Sequence, residues 1–398
     1  MKETYKKYLS VLRAFVQGSA PDHLDGAQVN EIMNLANINS TGGIVCYEYM
    51  THPELVGSDI LPLMRKQCLH ETAYYARRAE QVKNLLHELD GNGIDCIVFK
   101  GFVVREYYPV PELRSFGDID LVIRKEDRQR CHELMQKLGY EPKDDWEPAY
   151  SYLKGTEYYE FHTDVMEIDV SDQADYMSYY SHIWGHVQPC TLVAKPHVLE
   201  FSPEFHFLYL LTHIAKHISG SGAGIRMYLD IACFLKHFGG SLDWQWIQGE
   251  LKKLHFESFA NMVLTAAERW FKVESPLPLR PVSEEVLEDF LEFTLEGGIY
   301  GTVGRDKGTV FLKQQGRNDQ DVSRWRTLLF HAFPPAKNLE NRYTYLQKHR
   351  WLLPAAWVHR LVASRKEWGR FAGHTKDILT ADSEDVRKLK RIYQEIGL

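Results

Sequence analysis

Nowhere in the 398 residues is there an apolar run approaching the ~18 residues of a membrane-spanning helix, and the longest candidate, 207–214, is soon followed by Lys216 and His217. An integral membrane span is therefore excluded. The charged N-terminus has no apolar segment or small-residue cleavage site behind it, so the expected compartment is the cytoplasm. The cysteines (Cys46, Cys68, Cys96, Cys131, Cys190, Cys233) stand singly with no C-x-x-C pair, which argues against a disulfide framework and a zinc ribbon and predicts reduced core residues. An excess of basic charge is missing too. A net charge of -7 disfavours a surface that wraps nucleic acid, while leaving room for a local basic patch. There is no internal repeat and no low-complexity tract. What remains is ordinary globular composition, 44% hydrophobic and 13% aromatic, in a chain long enough for two or three domains.

The periodicity changes twice. Up to about residue 90 it is helical: Tyr8, Leu9, Leu12 and Phe15 come first, and Val82, Leu85, Leu86 and Leu89 follow at i, i+3, i+4, i+7 before a Gly-Asn-Gly stop. Residues 94–99 then form a short β-branched run and 119–123 a second one, followed by a helix over 125–138 that ends on Gly139. Strand, loop, strand, helix is an α/β or α+β signature. Residues 158–162 and 165–170, flanking Thr163 and Asp164, predict a hairpin or two adjacent strands. From Pro203 the pattern is helical again, with breaks at 219–224, 276–281 and Pro334-Pro335. The expected organisation is a helical segment over 1–90, a sheet core over 91–195 and a helical domain over 196–398.

Asp118 and Asp120 open the second strand and, two residues apart, share one of its faces. Two such carboxylates repel unless a cation lies between them, and clustered oxygen ligands suit Mg²⁺. Glu167 and Asp169 repeat the spacing on a candidate neighbouring strand and offer a third carboxylate. Phosphoryl chemistry is the natural use of such a set. An isolated D-x-D is also a common polar strand edge, so context decides. Lys100-Gly101 ends the first strand where a helix can begin, placing a backbone without Cβ, an amine and a helix N-terminus where a triphosphate can lie. Arg114 adds a charge suited to phosphate oxygens.

The run VFKGFVVREYYPVPELRSFGDIDLVI, with K-G and then R-x-x-G-D-I-D, resembles the bacterial group of uncharacterised nucleotidyltransferases in the DNA polymerase β superfamily. His213, Lys216 and His217 with Gly224, Arg226 and Asp230, and the stretch from Phe333-Pro334 to Pro354, resemble the downstream motifs of that group. The resemblance implies a nucleotidyltransferase-fold mixed sheet core flanked by N-terminal helices and a helical C-terminal domain. It also implies Asp118 and Asp120 as paired metal ligands and Asp169, or failing it Glu167, as the third carboxylate, with Mg²⁺ or Mn²⁺ as the ion. Lys100, Gly101, Arg114 and Arg226 are the candidate nucleotide-binding residues. The sequence departs from the superfamily at the turn where Gly-Ser is usual and Lys100-Gly101 stands, where a lysine can meet phosphate as a point charge.

The expected reaction moves an NMP from an NTP to an unidentified hydroxyl or phosphate acceptor, with release of pyrophosphate. A catalytically silent nucleotide-binding or scaffold protein on the same fold is the alternative. His213 and His217 have the i, i+4 spacing of a zinc pair, but Ile214 stands where a metalloprotease needs Glu, so they read as buried or cleft-lining histidines. Residues 341–370 interleave Arg342, Lys348, Arg350, Arg360, Arg365, Lys366 and Arg370 with five aromatic residues. A solvated helical face is the favoured reading there, with nucleic acid as a disfavoured partner.

Overall fold

The computed structural model describes residues 1–146, 149–166, 170–171, 173–220, 222–298, 333–336, 339, 343, 345–363 and 383–398. The chain opens with helices α1 (Glu3–Gln17), α2 (Gly26–Ile38), α3 (Gly42–Thr51) and the long α4 (Leu61–Gly91). Local chemistry explains their ends. Asp25 and Gln28 form a reciprocal capping box at the start of α2, Pro62 occupies the first turn of α4, and Gly18 closes α1 in a left-handed conformation at φ 69°.

A sheet follows, built from β1 (Cys96–Val98), β2 (Ile119–Ile123), β3 (Glu141–Trp146), β4 (Ala149–Lys154), β5 (Glu157–His162), β6 (Val187–Pro189) and β7 (Val198–Phe201). The short α5 (Gly101–Val104) leaves β1, α6 (Arg128–Lys137) follows β2, and α7 (Tyr176–Tyr180) precedes β6. The strand order is β3-β4-β5-β2-β1-β7-β6, with β2/β5 and β1/β7 parallel and the other pairs antiparallel. Helices α8 (Pro203–Gly220), α9 (Ile225–Phe238), α10 (Trp244–Lys253), α11 (Glu257–Phe271) and α12 (Glu284–Glu296) form the second half. Beyond them lie α13 (Tyr345–Lys348), α14 (Leu353–Ala363) and α15 (Ser383–Ile396).

Strand alternation sorts the side chains into two cores. On one face Cys96, Val98, Ile119, Leu121, Ile123, Tyr159 and Phe161 pack with Val82, Leu85, Leu86 and Leu89 of α4 and with Leu134 and Met135 of α6. On the other, Ile97, Phe99 and Val122 join a larger core that unites α1–α3 with α8–α12 and α15. Residues on both sides of the expected boundaries at 90 and 195 thus share one hydrophobic cluster. Asp120 has the parity of Val122, and Glu160 and His162 the parity opposite to Tyr159 and Phe161. All three therefore leave the sheet toward the second face.

The mixed sheet flanked by helices is as expected, and strand pairing differs in one place. The hairpin partner of β5 is β4, closed through Gly155 (φ 61°), and the described residues of 165–170 (Val165, Met166 and Val170) lie outside any strand. The alternation of 165–170 matches a strand, but β2 takes the free edge of β5 and β4 its other edge.

Adjacent residues of β5 should respond in opposite ways. Phe161→Ala empties a site in the α4/α6 core where the ring meets Tyr152 edge-on at 5.7 Å, so urea denaturation should show a loss of about 3–5 kcal/mol. Glu160→Gln, on the opposite face, should leave the midpoint nearly unmoved.

Candidate active site

The loop that delivers Asp118 and Asp120 is held from three directions. The buried guanidinium of Arg114 donates from Nε to Asp230 Oδ1 (3.1 Å) and from Nη2 to Oδ2 (2.7 Å), while Tyr108 donates its hydroxyl to the same carboxylate at 2.6 Å. This ties the loop to α9. Ser115 donates to the carbonyl of Ser40 (2.7 Å), and Arg226 donates to the carbonyl and hydroxyl of Ser115 at 2.9 and 3.0 Å. Finally Arg78 of α4, fully buried, donates to the carbonyls of Gly117 (2.7 Å) and Thr156 (3.1 Å), joining the loop to the β4–β5 turn. A Cβ at Gly101 would fall inside the contact radius of Arg114 Nη1, so the start of α5 needs glycine there.

Asp118 stands exposed at the mouth of β2, and Asp120 lies one pleat deeper. The parallel register pairs Asp120 with Glu160 and Val122 with His162, so the two carboxylates are direct cross-strand neighbours. His162 Nε2 is 2.9 Å from Asp120 Oδ1 and 3.6 Å from Glu160 Oε2. On the other side Lys100 Nζ donates to the same Oδ1 at 2.8 Å. Lys100 reaches it from a strained backbone, φ 55° and ψ -135°, a conformation L-residues seldom adopt. Burial would raise the Asp120 pKa, but the Lys100 ammonium and His162 outweigh it and hold the carboxyl well below the usual range. Glu160 goes the other way, raised by burial and by the charges of Asp120 and Asp118. Three carboxylates face one ammonium, which leaves negative charge for a cation to neutralise.

Helices α8 and α9 supply the opposite wall. His213 and His217 meet edge-to-face at 4.6 Å, and both are depressed first by burial and then by the Lys100 charge, His217 to about 4. Lys216 and Arg226 add to the positive potential at His217. Arg226 is lowered to about 10 by burial and by Arg114, and among the described residues its buried Nε has no acceptor. An anion entering beside the carboxylates therefore meets a cationic and imidazole-lined face.

A sequence profile for uncharacterised nucleotidyltransferases matches residues 25–272, more than half of the chain. The chain belongs to that family. No curated protein matches it significantly. The solved structure of the antibiotic-resistance factor ANT(2'')-Ia is similar at 12% identity over 46% of this chain and 94% of that chain, with a TM-score of 0.34, a likeness too remote to bear on the site. This nucleotidyltransferase is thus a transferase of phosphorus-containing groups by family.

The candidates from the sequence are distributed unevenly in it. Lys100 pairs with Asp120, and the exposed Asp118 lies within electrostatic reach of Lys100. Arg114 and Gly101 meet each other instead: the Arg114 charge is engaged by Asp230 and turned inward, because the loop must be anchored to α9. Arg226 lies across the cleft on Ser115. Glu167 and Asp169 fall outside the described residues, as do Arg342 and 364–370 of the basic stretch. Within that stretch Tyr343 and Trp357 belong to a small separate cluster, and Trp351 is exposed. The sequence reading passed over Glu160, His162, Arg78 and Ser115, and it named Asp230 only as part of the downstream motif. Glu-x-His on a strand was the available signal for the first two, and only the β2–β5 pairing gives it meaning.

Two outcomes follow for the nucleotidyltransferase. Asp230→Ala strands a buried guanidinium and should cost about 3–5 kcal/mol in chemical denaturation, with activity falling as the loop loosens. The second concerns acid. His206 and His217, held at about 4 in the fold against an ordinary 6.5, stay neutral while their unfolded counterparts take up protons. Their contribution is intact above pH 6.5 and is lost as pH falls toward 4, at about 1.4 kcal/mol per pH unit for the deeply buried His206. Melting temperature should decline over that window, and a flat profile from pH 7 to 5 contradicts the assignment.

Proposed function

We propose that the protein is a divalent-metal-dependent nucleotidyltransferase that transfers an NMP from an NTP to a hydroxyl or phosphate acceptor and releases pyrophosphate. The observation that carries this reading is the register Asp120–Glu160, which sets two carboxylates side by side with Asp118 adjacent, Lys100 on Asp120, and Lys216 and Arg226 near His217. The carboxylate oxygens of Asp120 and Glu160 suit Mg²⁺ or Mn²⁺, and with Nε2 of His162 they all lie within 4.8 Å of one another. The ion, when bound, supplies charge neutralisation for the α-phosphate and the leaving pyrophosphate. Glu160 takes the role of third carboxylate that the sequence had offered to Asp169 or Glu167.

The residues of the chain do the rest. Lys216 and Arg226 receive the phosphate tail, and the unpaired Nε of Arg226 supports an anionic ligand there. The acceptor oxygen forms a new bond to the α-phosphorus, the bridging bond to pyrophosphate breaks, and a hydroxyl acceptor passes its proton to a carboxylate of the site. We assign this chemistry to the 91–195 core, with the cations contributed by 196–398. Among the described residues no helix is long and apolar enough to cross a membrane. Six buried, unpaired thiols support a cytoplasmic setting.

The ion pair of Lys100 with Asp120 favours a second reading, in which the ammonium permanently occupies the place of a metal and the fold binds nucleotide without turnover. A pyrophosphate-release screen of the four NTPs with Mg²⁺ and Mn²⁺, beside candidate acceptors, separates the two. On the leading reading Asp120→Asn and Glu160→Gln lower turnover by at least about a hundredfold; Glu160→Gln does so with little change in melting temperature, whereas Asp120→Asn also lowers it because Lys100 loses its charged partner. Asp169→Asn does less than Glu160→Gln, and Lys216→Ala weakens NTP binding more than nucleoside binding. Nucleotide binding without pyrophosphate release under every condition supports the silent reading.

A further inference from the structure

The metal-dependent reading leaves the ion's identity open, and His162 bears on it. The imidazole is placed by the sheet: two residues after Glu160 on β5, it shares that residue's face, and its Nε2 stands 2.9 Å from Asp120 Oδ1 and 3.6 Å from Glu160 Oε2. Donor atoms sharing one ion at ~2.1 Å are about 3–4.2 Å apart, so these separations are those of a shared coordination sphere with only small adjustments. The side chains of His162 and Asp120 are each only 10% exposed, so neither the nitrogen nor its carboxylate partner is free to swing away. Mg²⁺ prefers oxygen donors and retains its waters, whereas a set of two carboxylates and one imidazole suits Mn²⁺, Fe²⁺, Co²⁺ and Zn²⁺. Lys100, on the same Oδ1, opposes every divalent cation by charge and so does not select among them.

We propose that His162 is a metal ligand and that the site selects a borderline transition-metal dication, with Mn²⁺ its test ion, over Mg²⁺. The proposal rests on the metal-dependent reading above and adds the nitrogen donor to it. In this arrangement Asp120 and Glu160 set the affinity for any dication, and His162 sets the preference.

Direct binding tests it without turnover. Mn²⁺ binding to the full chain is followed by electron paramagnetic resonance, and Mg²⁺ and Zn²⁺ are measured by competition. The wild type should hold Mn²⁺ at least about tenfold more tightly than Mg²⁺. His162→Gln should lose at least about tenfold in Mn²⁺ affinity while Mg²⁺ changes less than about threefold. Spin-echo modulation of bound Mn²⁺ in the wild type should show imidazole nitrogen, a signature that does not depend on any variant folding. Equal affinities for Mg²⁺ and Mn²⁺, equal losses for both ions in His162→Gln, or bound Mn²⁺ without imidazole modulation overturns the proposal and leaves His162 as a hydrogen-bond donor to Asp120. Those outcomes spare the metal-dependent reading, because Glu160→Gln would still weaken both ions. Failure of the wild type to bind any dication overturns both.

Discussion

The buried pair Arg114–Asp230 is the constraint on which the site depends. Its two ends belong to different parts of the molecule, the loop entering β2 and the middle of α9, so satisfying one charge requires the sheet and the helical body to meet in a single register. Such a pair adds little net stability over a well-packed apolar contact, but half of it is costly to bury alone. Alternative dockings of the helices on the sheet strand both charges, and that penalty specifies the arrangement. Gly101 is part of the same constraint, because the guanidinium lies where a Cβ would be. Tyr108 completes the carboxylate's hydrogen bonds and links the segment after α5 to α9.

With that register set, the two faces of the sheet divide their work. One is filled by α4 and α6 and is apolar in β1, β2 and β5 except at the end of β5, where Glu157 accepts from Gln81 and Tyr140. The other is apolar at Ile97, Phe99 and Val122 and polar at Asp120, Glu160 and His162, which keep partial exposure. Charge is then separated across the cleft: carboxylates on the strands, Lys216 and Arg226 with two neutral histidines on the helices. Low dielectric strengthens both sides of that arrangement, which is why Asp120 stays ionised despite burial and His217 stays neutral. The strained backbone of Lys100 is consistent with a position where placement of the amine outweighs local preference.

Much was legible in the sequence, and the reasons are local. Short β-branched runs located β1 and β2, the i, i+3, i+4, i+7 stripe located the end of α4, and Gly139 marked the close of the helix after β2. The same locality made D-x-D visible as a pair of carboxylates on one face, since two residues along a strand are always one pleat repeat apart. Arg114 shows where this stops. Its charge was readable, but whether it faces a ligand or a carboxylate depends on Asp230, 116 residues away.

The proposed third carboxylate, Glu160, shows the same limit more sharply, with Glu167 and Asp169 outside the described residues. Glu167, Asp169 and Glu160 all sit in alternating segments, and nothing local tells which strand will lie against β2. Pairing is decided by backbone hydrogen bonds between segments about forty residues apart, whose energy is nearly independent of side-chain identity. The sequence by itself therefore determined which residues could share a face. Only the tertiary structure decided which faces came together, because that choice is made by the packing of two cores and by buried charges that tolerate one register.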